Sequence, residues 1–72
     1  MYIVMELQKN GDQLSNVVTT YDNIYDADNK YYTILASAAI SNVDRHAATM
    51  LTDEGFCVKN QYYDHTIQEV EE

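Results

Sequence analysis

The stretch from Asp22 to Asn42, DNIYDADNKYYTILASAAISN, is the only part of the chain with helical patterning, and runs of strand formers flank it on both sides. A lone amphipathic helix must lay its apolar stripe on something, and with strands before and after it that something is a sheet. Ala27, Tyr31, Ile34, Leu35 and Ala38 recur at helical spacing, with Ile24 one turn earlier, while Asp28, Lys30, Thr33 and Ser37 fall on other faces. Asp22 or Asn23 is the expected N-cap, and Asp26 and Asp28 put negative charge in the first turns, where it complements the macrodipole. Asn42 is the expected left-handed C-cap. A helix of about 19 residues would be ~28 Å long, enough to cover one face of a small sheet. Small residues fill its second half, Ala36 to Ala39 and Ser41, so the backbone there can approach a neighbour closely.

The flanking segments follow a period of two. Tyr2–Gln8 alternates Ile3, Met5 and Leu7 with Tyr2, Val4 and Glu6, and predicts a strand. Asn10-Gly11 between two β-prone runs is a strong hairpin signal, since both central residues of a type I′ turn need positive φ. With these two as the loop, Leu7 faces Leu14, Val4 faces Val17 and Ile3 faces Val18, and the second strand runs from Gln13 to Tyr21. The same register sets Asn16 against Met5 on an inner face, an awkward pair that suggests a bulge. His46–Thr52 and Phe56–Tyr63 predict a second hairpin through Asp53-Glu54-Gly55, a three-residue loop with Gly last. Its register pairs Thr52 with Phe56, Met50 with Val58, Ala48 with Asn60 and His46 with Tyr62, and puts His65 on the opposite face. The acidic end from Thr66 to Glu72 is expected to fray.

The expected fold is therefore α+β: residues 1–72 as one small domain, a four-stranded, mostly antiparallel sheet in the order β-β-α-β-β along the chain, with one helix packed on one face. The second face is then uncovered, and in this reading it carries Tyr2, Val4, Val17, Leu51 and Cys57. Such a face is a natural place for a partner.

Composition narrows what that partner can be. Twelve acidic against four basic side chains on 72 residues give a net charge of −8, a field that repels phosphate backbones and anionic lipid surfaces. Direct nucleic-acid or membrane binding is not expected. No charged start followed by an apolar run occurs, and no stretch approaches the ~20 apolar residues that cross a bilayer, so the expectation is a soluble, cytoplasmic protein. A domain of this size buries only about 60% of its unfolded surface and usually needs a staple. One cysteine, Cys57, excludes an intrachain disulfide, and two histidines, His46 and His65, cannot complete a structural zinc set. Oligomerisation is the device left, and a homodimer is expected.

Motifs for chemistry are weak. His46, His65 and Cys57 do not converge in the predicted registers, and partly exposed histidines with a packed cysteine explain them more simply than a site does. Asp22, Asp26 and Asp28 with Asn23 and Asn29 superficially suggest calcium, but an EF-hand loop starting at Asp22 would need Gly where Ala27 stands and an acid where Thr33 stands. Capping explains them. The only glycines, Gly11 and Gly55, sit singly in turns, so no phosphate loop exists, and no cofactor is expected. Seven tyrosines supply large contact area with a hydroxyl that tolerates a wet interface; most read as core-edge residues, and Tyr62 and Tyr63 as candidates for contact.

The stretch YYTILASAAISNVDRHAATMLTDEGF, within Lys30 to Lys59, resembles short uncharacterised proteins of gut-dwelling Gram-positive bacteria and their mobile elements, in which a KYY-ILA-AA-S helix precedes a strand and a T-EG turn. The resemblance implies a bacterial or phage setting and no activity. The leading expectation is a non-enzymatic module, homodimeric, that binds a protein partner through Tyr2, Val4, Val17, Leu51, Cys57, Tyr62 and Tyr63. Two others stand beside it. The acids imitate a phosphate backbone and block a nucleic-acid-binding enzyme; or the chain is a small enzyme or small-molecule binder, which requires a concave pocket lined by His46, Tyr62 or Cys57.

Overall fold

A computed structural model describes residues 1–66. Four strands and one helix follow in the expected order: β1 Tyr2–Asn10, β2 Gln13–Tyr21, α1 Ile24–Ala38, β3 Arg45–Thr52 and β4 Cys57–Asp64. The fold is α+β. The sheet has the order β2-β1-β3-β4 with every neighbour antiparallel, so β1 and β3 are central and β2 and β4 are edges. The α1 connection leaves one edge, crosses β1 and returns as β3.

The helix starts where its cap chemistry dictates. Asn23 has an extended backbone (φ −127°, ψ 158°), its side chain accepts from the Asp26 N–H, and its amide donates to Asp26 Oδ2 at 3.0 Å. The buried residues of α1 are Ala27, Tyr31, Ile34, Leu35 and Ala38, the same stripe that periodicity assigns. The helix is shorter than expected, at 15 residues. Ala39 ends it in right-handed geometry (φ −63°, ψ −28°), and among the described residues no non-glycine has positive φ. Asn42 is thus not a left-handed cap; the Ala39, Ile40 and Ser41 amides close the end by donating to Leu35, Ser37 and Ala38 carbonyls.

Both hairpins depart from the expected registers, with different consequences. In the first, Asn10 pairs with Gln13 and the loop is Gly11-Asp12. Gly11 has φ +63° and Asp12 does not have positive φ, the requirement of a type II′ turn, which places Gly first. The register shifts by two: Leu7 faces Asn16 and Val4 faces Thr19. A shift of two keeps every side chain on its own face. In the second hairpin the Asp53-Glu54-Gly55 loop forms, with the Gly55 N–H donating to Thr52 O at 2.9 Å and the Thr52 N–H to Phe56 O at 2.8 Å. Leu51 then pairs with Cys57 but Met50 with Lys59, so Val58 is an extra residue in a bulge. Beyond it Tyr63 lies opposite His46, and Tyr62 opposite Ala47. A shift of one reverses the faces of the rest of β4.

The core lies between α1 and the two central strands. Val4, Ala27, Ala48 and Met50 are fully buried there, with Tyr31, Ile34 and Leu35 nearly so, and Tyr2, Tyr21, Ile24 and Tyr63 pack around them. Val4 faces Met50 across the β1–β3 ladder, so the helix covers the face of β1 that carries Tyr2, Val4 and Glu6. The expected acidic tail falls on residues 67–72, outside the described ones, apart from Thr66, whose N–H donates to Asp64 Oδ1 at 3.0 Å.

Met50 is one of the two largest fully buried side chains. Met50→Ala is expected to cost about 2–5 kcal/mol in urea unfolding, and the volume-conserving Met50→Leu under ~1.5 kcal/mol.

Candidate interaction surface

Since Tyr2, Val4 and Glu6 point toward the helix, the alternate residues of β1 point away from it, and the ladders extend that assignment. Ile3, Met5 and Leu7 face Thr20, Val18 and Asn16 on one side and Leu51, Thr49 and Ala47 on the other. Asn60 and Tyr62 continue the same face on β4, opposite Thr49 and Ala47. Among the described residues no element covers this face. Its middle, Ile3, Met5, Leu7, Ala47 and Leu51, is half-buried by neighbouring side chains, and Leu14, Val18 and Tyr62 are 62%, 51% and 62% exposed.

The residues expected to form an interface are divided by this geometry. Val4 lies in the core under α1, and Tyr2 packs against that core; neither is on the open face. Val17 faces Glu6 on the helix side, near the sheet edge, and is 52% exposed. Leu51 and Tyr62 are on the open face. Cys57 is exposed beside the bulge, with Asn60 Nδ2 3.2 Å from its sulfur. Tyr63, turned by the bulge to the helix side, packs on the core and stacks on His65 with ring centres 6.2 Å apart. Leu51 and Tyr62 share the open face with Ile3, Met5, Leu7 and Val18. The signal that could have found them is the awkward Asn16–Met5 pairing, since Met5 sits on an outer face where a polar neighbour is at ease.

The inner face pairs a buried His46 with a half-buried Glu6. His46 is 3% exposed; its Nε2 is 2.7 Å from Glu6 Oε2 and its Nδ1 3.2 Å from Ser41 Oγ. Gln8 Nε2 donates to the same Glu6 oxygen at 3.0 Å. Burial pushes the Glu6 carboxyl up, but the hydrogen bonds from His46 and Gln8 and the positive charges of His46 and Lys30 outweigh it and hold the group below its ordinary 4.5. Glu6 is therefore a carboxylate at neutral pH, and Nε2 carries the hydrogen. Ser41 also accepts the Val43 N–H at 3.3 Å, so the network ties the link after α1 to β1 and β3. A Ser-His-Glu sequence of contacts invites comparison with a nucleophilic triad. Ser41 follows the carbonyl end of α1, whose partial negative charge repels a developing oxyanion.

Two further cations fasten the shell. Lys59 Nζ donates to Asp28 Oδ1 at 2.9 Å and to Tyr32 Oη at 3.2 Å, and lies 4.9 Å from the Tyr32 ring centre. Those two hydrogen bonds, the one to Asp28 foremost, raise its pKa. The capping expectation for Asp28 is thus replaced by a link from α1 to β4. Arg45 Nε donates to Asp64 Oδ2 at 3.2 Å, and the Gly11 N–H donates to Asp44 Oδ2 at 2.8 Å, joining the β1–β2 loop to the start of β3.

On the open face a depression of about 210 Å³ is lined by Leu7, Leu14, Ala47 and Tyr62, with Lys9 and Arg45 at one end. His46 also borders it, but both its ring nitrogens are engaged by Glu6 and Ser41. Among the described residues no three His, Cys, Asp or Glu side chains gather as a metal set, and no helix is long and apolar enough to cross a membrane. Compared with family models, curated proteins and solved structures, the chain matches none.

The depressed Glu6 pKa gives a sign for acid stability. The folded state holds the carboxylate more firmly than the unfolded chain, so its contribution is complete above pH 4.5 and lost as the pH falls through the folded value. Glu6→Gln is expected to cost about 1–2 kcal/mol at pH 7 and to shrink the difference between variant and parent as the pH is lowered below 4.5; urea midpoints over that range test it.

Proposed function

We propose that this chain is a non-enzymatic, homodimeric protein-interaction module that engages a protein partner through the uncovered face of its sheet. The observation that carries the reading is the row Ile3, Met5 and Leu7 on a central strand, flanked by Val18, Ala47, Leu51 and Tyr62, with no element over it among the described residues. An antiparallel sheet with one covered face normally turns polar residues outward on the other. Here the outward positions of β1 from Ile3 to Leu7 are apolar, and Asn16, Thr49 and Asn60 interrupt the patch around them without adding charge. A contiguous apolar surface with a polar margin is what a partner desolvates.

The competing idea of a phosphate mimic requires a regular row of free carboxylates. Glu6, Asp28, Asp44 and Asp64 are instead engaged by His46, Lys59, the Gly11 amide and Arg45, and Asp26 by its cap. The remaining described acids are scattered over turns and the helix start. The setting implied by the resemblance, a bacterial host or its mobile elements, is where the partner is to be sought.

The test compares immobilised parent chain with Met5→Glu and Met5→Leu in lysate of such a host. Met5→Glu places a charge at the centre of the face and is expected to lower capture of the parent's partner at least tenfold, about 1.4 kcal/mol, with circular dichroism unchanged. Met5→Leu is expected to retain it. Equal capture by parent and Met5→Glu would remove the face from the function.

A further inference from the structure

We propose that β2 is a self-pairing edge: β2 of one copy adds antiparallel to β2 of a second copy, about a two-fold axis at Val17, forming one sheet that runs through both. This deepens the homodimer part of the reading above and rests on it, while leaving the open face free for a different partner.

The argument begins with what protects edge strands. An edge presents unpaired amides and carbonyls, and proteins blunt it with charge, proline, a bulge or a cover. The β4 edge uses two of these devices, the bulge at Val58 and the charged Lys59 and Asp64. Among the described residues the β2 edge has none. From Gln13 to Tyr21 it reads QLSNVVTTY, with no acid, base, proline or glycine. It pairs with β1 at all nine positions without a register shift, and its first six residues are exposed. Leu14, Val17 and Val18 are each more than half exposed.

Charge selects a second copy as the occupant. Each chain carries −8, so two copies repel wherever their acids meet, and β2 is the only strand free of charged side chains: β1 has Glu6 and Lys9, β3 has Arg45, β4 has Lys59 and Asp64. A foreign strand chosen by attraction to an acidic protein would be basic and would find nothing on β2 to pair with. Self-pairing needs only self-complementarity. Val17 is the midpoint of β2, and a two-fold there sets Val17 against Val17, Asn16 against Val18, Ser15 against Thr19 and Leu14 against Thr20. Within the paired strands no like charges meet, and Val17 opposite Val17 and Ser15 opposite Thr19 are favourable cross-strand pairs; just beyond the strand ends the same register brings Asp12 of each copy opposite Asp22 of the other, a repulsion that salt screens. Val18 of both copies lies on the open face, so the joined sheet also makes the apolar patch continuous across the dimer.

Light scattering on the full chain is the test. The parent is expected to be a dimer whose association strengthens toward ~1 M salt, where the Debye length is about 3 Å and repulsion between the two acidic copies is screened. Val17→Lys, at an exposed position, is expected to be monomeric where the parent is dimeric, with unchanged circular dichroism, and Met5→Glu is expected to remain dimeric. Hydrogen exchange on the parent gives a reading independent of any variant: protection of β2 amides should rise with protein concentration while β4 amides do not change. A parent that stays monomeric, a dimer indifferent to Val17→Lys, or a concentration-dependent protection confined to β4 overturns the proposal. A dimer lost in Met5→Glu and kept in Val17→Lys also overturns it and moves self-association to the face. Partner capture by the Val17→Lys monomer is scored separately, so loss of the edge and loss of the interaction-module reading remain distinguishable.

Discussion

Everything in this molecule follows from one helix having one sheet face to cover. A stripe of Ala27, Tyr31, Ile34, Leu35 and Ala38 reaches the two central strands and buries Val4, Ala48 and Met50 completely. The core is a single layer of contact, and among the described residues no second helix sits on the far side. Small residues make the contact close: Ala27, Ala38 and Ala48 are fully buried, which lets Tyr31 and Met50 fill the remaining volume. A core of this size leaves little margin, because the burial fraction of so short a chain is low to begin with. Features at the periphery, such as Lys59 bridging β4 to Asp28 and Tyr32, matter more here than they would in a larger domain.

The same constraint explains a polar network inside the layer. Glu6 and His46 both lie on the helix side, where alternation in β1 and β3 places them, and each would be costly to bury alone. Together with Gln8 and Ser41 they satisfy one another, and among the described residues no buried side-chain nitrogen or oxygen lacks a partner. A buried pair of this sort adds little net stability over apolar residues of equal size. It does discriminate between registers, since sliding β3 along β1 would separate the carboxylate from the imidazole.

Element order, the helix stripe, the N-cap and the Gly55 loop were legible because each rests on local chemistry: spacing along one helix, one Asn side chain, one glycine. The faces of the sheet were not. Ile3, Met5 and Leu7 look like an inner row beside Tyr2, Val4 and Glu6, and only the burial of Glu6 against His46, residues far apart in the chain, reverses that choice. The second hairpin failed for a related reason. Thr52 to Phe56 closes as composition suggests, but the Val58 bulge, one residue wide, turns Tyr62 outward and Tyr63 inward. Period-two patterns carry no mark of a bulge when Val, Lys, Asn and Gln follow one another, because neither face is clearly apolar. The candidate interface was split between the two faces for both reasons: the β1 alternation put Tyr2 and Val4 on the wrong side of Leu51, and the bulge parted Tyr62 from Tyr63.

The edges then bear on what an uncovered face is for. If the open face were only a residue of economy in a small domain, both edges would need protection equally, since a flat apolar sheet with bare edges invites stacking and pairing without limit. β4 is bulged and charged, whereas β2 is regular and uncharged. Protecting one edge and not the other permits pairing to begin and forbids it to continue: a two-fold contact through β2 uses up the bare edge of both copies and leaves two β4 edges outside. The asymmetry is what closed assembly requires and what open-ended growth does not, and in the proposed dimer it gives the apolar face a fixed extent.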